Sequence, residues 1–336
     1  MRADTMQNIV VSDSYIAAFY LDTGVNLLNN RKFKEASLNF LECLKYRPDY
    51  PLAHWYNALS LLHLGDYAQA FIEYEYRWQV YDWRWGILSE DIYRIETLRP
   101  WRGEKLRDKK LLVLHEQGHG DAIMMLRYLP VLQQLGAQIT AVMPFPLQRL
   151  VHEQYGIEVC GKTPDDLSVF DFRCPLFGVM LPLRQTPGNI PNAPYIKANS
   201  NPNNNNGKAK IGIAWSGVSR KELTLETFLD LLGPVDADLY SLQLEGADKG
   251  VIPLVAKDFA DTVEVIAQMN HIISIDTAPA HLAGAMGHPS TYVIVPWNND
   301  WRWSRAPSWY PTVKICRQEV MDDWKIPFFN LKKFLR

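Results

Sequence analysis

The chain has 336 residues, 47% of them hydrophobic, with 35 Lys plus Arg against 37 Asp plus Glu. That length allows two or three domains with full cores, and the near balance of charge leaves no net field to recruit nucleic acid or an anionic membrane. Four scattered cysteines (Cys43, Cys160, Cys174, Cys316) form no CxxC pair, and no basic-then-apolar leader or membrane-length apolar run occurs, so a soluble cytoplasmic protein with reduced thiols is expected.

The first 100 residues carry a repeat. At an offset of 34, Gly24 matches Ala58, Leu27 matches Leu61 and Leu28 matches Leu62, and the series continues with Phe33 and Tyr67, Ala36 and Ala70, Phe40 and Tyr74. Small residues where helices cross and aromatics where they pack form the tetratricopeptide pattern, with Pro48 closing the first repeat. Only two repeats are visible, and such arrays need about three to stand alone. The pair is therefore expected to dock on the domain C-terminal to it, through the aromatic segment Tyr74–Trp85.

Residues 101–198 read as a Rossmann-like domain. Leu111–His115 is a buried strand, followed by the loop EQGHGD, a helix over 121–135, a strand over 138–143, a helix over 146–155 and a strand over 157–160. Residues 199–207, NSNPNNNNG, have no apolar anchor and read as a linker. The alternation restarts in residues 208–336, a second Rossmann-like domain: strand 211–215, loop 216–221, helix 223–232, strand 239–243 and helix 261–269. The strand Ile272–Ile275 then stops at Asp276, and Thr277 and Pro279 open a helix of small residues that leads to the strand Ser290–Val295. Two α/β halves joined by a linker imply a cleft, with the last helix expected to pack back on the N-terminal half.

Three constellations hold the chemistry. In the first, Gly118-His119-Gly120-Asp121 sits between a strand and a helix. Asp121 reads either as an N-cap or as a general base for an acceptor hydroxyl, with His119 assisting. The second is Trp215-Ser216-Gly217 with Arg220 and Lys221, cations suited to a leaving diphosphate or simply to a solvated turn. The third is the Asp276–His281 loop with Trp301-Arg302-Trp303 downstream. The positive end of the helix and its first amides favour a phosphate, Asp276 a sugar hydroxyl, and the indoles either the core or a sugar face.

These motifs occur in one order: Glu116–Leu132, IGIAWSG (Ile211–Gly217), YSLQ (Tyr240–Gln243), the run Asp258–Pro289, and DWRW…WYP from Asp300. Together they resemble the bacterial tetratricopeptide-repeat glycosyltransferases, which are similar to the heptosyltransferases of family 9 and more distantly to the O-GlcNAc transferases. The resemblance implies a GT-B fold, two Rossmann-like domains facing a cleft, preceded by a short all-α repeat segment. It also implies a nucleotide-sugar donor, a glycan, protein or small-molecule acceptor, no cofactor and no metal.

By the same resemblance Asp121 is the catalytic base. Trp215, Ser216, Gly217, Gln243, Asp276, Thr277, Ala278 and His281 line the donor, with Arg220 or Lys221 in place of an Arg-Ser pair that this chain lacks. The amides of Ala278, Ala280 and His281 are expected to face the diphosphate, and Gly118, Gly120, Trp301 and Arg302 to shape the acceptor side. A protein partner or self-association through the repeats is a further expectation. The alternative is a catalytically inactive GT-B body acting as an interaction module. A sugar-nucleotide epimerase, which would need more acids in the cleft, is a third reading.

Overall fold

The structure, a computed structural model, describes residues 12–80, 92–200, 207–217, 223–304 and 309–335. The chain divides into two compact units, Met1–Tyr81 and Asp82–Arg336. Among its described residues the first holds four helices, α1 (Asp13–Asn29), α2 (Phe33–Tyr46), α3 (Pro51–Leu64) and α4 (Tyr67–Tyr74), the last running into a 3₁₀ turn, Glu75–Gln79. The Ser12 hydroxyl caps α1 and the Asp66 carboxylate caps α4, each accepting a backbone N–H of the first turn. Pro51 opens α3 and Gly65, at φ 84°, ends it. The residues paired by the 34-residue offset are the ones that pack: Ala36, Phe40, Ala58, Leu62, Ala70 and Tyr74 are all buried. A Cβ on Gly24 would lie 2.5 Å from the Phe40 ring, which shows why the crossing takes a glycine. Residues 81–85 of the expected docking segment lie outside the described residues.

The second unit has a short helix, α5 (Ile92–Glu96), ahead of two parallel sheets. The first has the order β3-β2-β1-β4, with β1 Lys110–Leu114, β2 Gln138–Val142, β3 Glu158–Cys160 and β4 Phe172–Pro175. The second has the order β6-β5-β7-β8-β9, with β5 Ala209–Ala214, β6 Ala237–Ser241, β7 His271–Ile275, β8 Thr291–Val295 and β9 Val313–Arg317. Parallel neighbours need crossovers, and several are helices where the apolar spacing predicts them: α8 (Phe145–Tyr155), α9 (Leu225–Leu232), α10 (Phe259–Ala267) and α11 (Ala278–Ala285). The chain turns to one side of β1 for β2 and to the other for β4. It likewise flanks β5 with β6 and β7. Each sheet therefore has a topological switch point, where open α/β sheets bind ligands beyond the carboxyl ends of the strands.

Three elements differ from the sequence reading. β4 and β9 have no counterpart there: each is a short edge strand of mixed polarity, FRCP and VKICR, without an apolar run. The single helix expected over 121–135 is broken into α6 (His119–Met125), a 3₁₀ turn (Leu126–Tyr128) and α7 (Leu129–Gln134), because Pro130 has no N–H to continue the ladder. The C-terminal helix Lys325–Lys332, expected on the N-terminal half, is seen to pack on α9, β8 and β9 of the second sheet. Its Phe328 meets Phe228 of α9 edge-on at 5.2 Å and, with Leu331, joins the core of the second sheet. β9 leaves the chain beside β8, so this is the nearest apolar surface for the helix to cover.

The halves meet through small residues. α6 packs on α11, and a Cβ on Gly120 would lie 2.7 Å from His281 Cδ2. Behind this contact the buried Arg127 donates to the carbonyls of Met124, Pro191 and Trp309 and to the Tyr195 hydroxyl. Its guanidinium also lies over the Trp309 and Tyr310 rings, at 5.0 and 4.9 Å.

Candidate functional site

The switch point of the first sheet holds the loop His115–Gly118. Glu116 is buried and accepts the Phe177 N–H at 2.6 Å, which ties the loop to the segment after β4. Gln117 has φ 64°, a left-handed conformation that is costly for a residue with a side chain. Asp121 is the third residue of α6, and its Oδ2 accepts the Gly118 N–H at 3.0 Å. Its other oxygen lies 2.6 Å from Arg302 Nη2. It therefore both caps the helix and stands at the crevice. His119 is exposed at the mouth with its ring edge-on to Phe259 at 5.5 Å. The part of the ring turned into the crevice is desolvated, which lowers its pKa below the ordinary imidazole value.

The switch point of the second sheet lies between β5 and β7. After β5, the N–H groups of Trp215 and Ser216 both donate to Gln243 Oε1, at 2.6 and 3.0 Å, and Gln243 Nε2 donates to the Ser216 hydroxyl. Gln243 is thus a brace for this loop, and the Trp215 side chain is part of the core. After β7, Thr277 is the N-cap of α11, but its hydroxyl pairs with Ser274 Oγ and Ile275 O rather than with a helical amide. A Cβ on Gly217 would lie 2.7 Å from Thr277 Cγ2, so glycine lets the two loops touch.

The amides at this tip are fewer than the sequence implied. Ala280 and His281 donate to Thr277 O, at 3.0 and 3.4 Å, because the first turn of α11 closes on its cap. Pro279 has no N–H, and Ala278, the first residue of α11, has an amide with no intrahelical partner to meet. His281 is buried; its Nδ1 meets the Tyr310 hydroxyl at 2.9 Å and its Nε2 lies 3.8 Å from Asp276 Oδ1. Arg220 and Lys221 fall outside the described residues.

The DWRW run forms a short helix, α12 (Trp301–Ser304), in which Asp300 Oδ1 accepts from the Arg302 backbone N–H and from Arg302 Nη1. Trp301 is buried against Trp309 and does not face the crevice, so it offers no sugar platform. An indole covers more apolar area in the core than any other side chain, and that burial decides its place. Arg302, the next residue, does line the cavity.

Asp121, His119, Gly118, Gly120, Ser216, Gly217, Gln243, Asp276, Thr277, Ala278, His281 and Arg302 all line one cavity of about 630 Å³. The structure adds lining residues that sequence reasoning missed: the apolar Leu242, Leu244, Leu254 and Phe259, and the cationic residue Lys257. The available signal was a loop rich in exposed apolar residues, among them Leu244 and Val255, which no helix or strand period explains. A second bridge crosses the same crevice: Arg149 of α8 pairs with Asp258 at 2.6 Å and with Asp261, both at the start of α10.

No protein-family profile and no curated protein matches this chain. Among solved structures it is similar to TibC, described as an iron-containing dodecameric glycosyltransferase of enterotoxigenic E. coli, at 13% identity and a TM-score of 0.47 over 66% of each chain. A second structure of TibC, described as a heptosyltransferase in complex with ADP-D-beta-D-heptose, gives the same values. A point variant of the Thermobaculum terrenum O-GlcNAc transferase matches at 12% identity and a TM-score of 0.33, over 95% of this chain and 76% of that one. The chain spans 66% of the length of TibC, slightly under two thirds.

The TibC finding corrects one expectation. The absence of a metal was implied by resemblance alone, and a similar glycosyltransferase is iron-containing. Amides and cations at a diphosphate site say nothing about a metal held elsewhere in a fold. Among the described residues no three His, Cys, Asp or Glu side chains converge to hold an ion, and the four cysteines lie on four separate elements. No described helix is long and apolar enough to cross a membrane.

Proposed function

We propose that the second unit is a GT-B glycosyltransferase that moves a sugar from a nucleoside-diphosphate sugar to an acceptor hydroxyl. One observation carries this reading: Asp121 from the first half and the Asp276–Ala278 tip from the second line a single open cavity of about 630 Å³. That volume is within the range of small-molecule sites. The acceptor O–H gives its proton to the Asp121 carboxylate as its oxygen bonds to the anomeric carbon. The bond from that carbon to the diphosphate oxygen breaks, and the electron pair leaves with the diphosphate. The Ala278 amide and the positive end of α11 offset the charge that develops there. Asp276 accepts from a sugar hydroxyl. The apolar lining residues Leu242, Leu254 and Phe259 suit a nucleobase, and Lys257 suits a phosphate.

Asp121→Asn keeps the shape and removes the base. It should lower transfer by 10² to 10⁴-fold, on the order expected for general base catalysis, while nucleotide binding persists. A thermal-shift panel of ADP, UDP and GDP sugars with wild type, followed by turnover of the binders with both proteins, is the test. Unchanged turnover in the variant removes the base assignment, and no stabilisation by any member removes the donor site.

A further inference from the structure

The carboxylate assigned to the chemistry belongs to one half of the unit, and the cation that holds it belongs to the other. Arg302 is buried, with Nη2 at 2.6 Å from Asp121 Oδ1 and 3.1 Å from Gln117 Oε1, and Nη1 at 2.8 Å from Asp300 Oδ1. Its guanidinium lies over the rings of Trp301, at 4.6 Å, and Phe177, at 5.2 Å. Three acceptors and two rings leave the planar fork one orientation, which a lysine cannot reproduce. The remaining Asp121 oxygen, Oδ2, is oriented by the Gly118 N–H at 3.0 Å. Gln117, held at φ 64°, is fixed through its side chain by the same guanidinium.

We propose that Arg302 is a positioning residue for the transfer reaction. It grips Oδ1 of Asp121 and, through Gln117, the loop that precedes it, so that Oδ2 is presented to the acceptor hydroxyl. The base is therefore assembled only when the two halves are apposed as here, which couples donor-half position to proton removal. When Oδ2 takes the acceptor proton, Asp300 still neutralises Arg302, so the cation is not stranded in a buried place. This inference rests on the reading of Asp121 as the base.

The rival role is direct contact between Arg302 and the donor diphosphate, since Arg302 also lines the cavity. Steady-state kinetics of the full chain separates the two. Arg302→Gln should lower kcat by about 10²-fold, the loss typical of a misplaced catalytic group, with donor KM changed by no more than about twofold. Arg302→Lys should recover part of kcat, because the charge returns without the fork. An unchanged kcat, or a loss confined to donor KM, overturns the proposal. Melting temperatures of Arg302→Gln, Asp121→Asn and the double variant give a readout free of turnover. The double variant should melt no lower than the worse single, since each single strands a buried partner, and strictly additive losses overturn the coupling. If wild type transfers no sugar, the glycosyltransferase reading fails, while the melting cycle still decides whether Arg302 holds Asp121.

Discussion

Gly120 shows how one atom governs the site. Its missing Cβ lets α6 lie against Ala278 and His281 of α11, and the added methyl of Gly120→Ala would sit 2.7 Å from His281 Cδ2 and 3.6 Å from Ala278 Cα. Overpacking of this kind costs about 1–3 kcal/mol, or about 2–12 °C in melting temperature for a unit of this size. The helix that carries Asp121 would also shift, so turnover should fall more than stability does. A melting curve identical to wild type would mean the two helices are not in contact. Cys316 illustrates burial acting on chemistry: its thiol is pushed up to about 11 by desolvation. At pH 8 it should react with a thiol reagent far more slowly in the folded protein than in denaturant, as mass spectrometry of the labelled peptide would reveal.

At the scale of elements, the βαβ unit β7-α11-β8 contains a titratable lock. His288 follows α11, its Nε2 meets Met269 O at 3.0 Å, and its Nδ1 accepts the Ser290 N–H at 3.3 Å, an arrangement that requires neutral imidazole. Burial holds its pKa below the ordinary value, and His271 at the start of β7 shifts the same way, chiefly by burial with help from His288 and Lys314. As pH falls, the unfolded chain takes up protons first, near the ordinary imidazole pKa of about 6.5. The folded state therefore keeps its full stability above that pH and loses it as pH falls further. Melting temperature should drop between pH 7 and pH 5, and His288→Gln should flatten that dependence. An equal slope in wild type and variant would show that another group is responsible.

Across the whole second unit, two arginines besides Arg302 bridge the halves in different solvents, and their magnitudes differ accordingly. Arg127 is buried behind the α6–α11 contact, with three carbonyls and a tyrosine hydroxyl around it. Arg127→Ala leaves those acceptors without a donor and should cost about 3 kcal/mol or more. Arg149 is partly exposed, so its pairs with Asp258 and Asp261 are screened by water and salt. Arg149→Ala should cost at most about 1 kcal/mol, and less at high ionic strength. Chemical denaturation of the two variants at low and high salt compares them; a salt-insensitive loss of similar size in both would contradict this ranking.

What the sequence determined by itself was local. Apolar runs bounded by Gly, Pro and acids located seven of the strands and the turns at their ends, because strand and helix periods are written in neighbouring residues. The pattern also marked both switch-point loops, since Asp121 and Asp276 each stand where a strand stops and a helix begins. Tertiary structure alone decided the rest. Arg302 reaches Gln117 across 185 residues, Trp301 is buried in the core, Gln243 braces a loop, and Ala280 and His281 turn their amides inward. No periodicity encodes such pairings: they depend on which sheet edges and helix faces remain uncovered once every local element has formed.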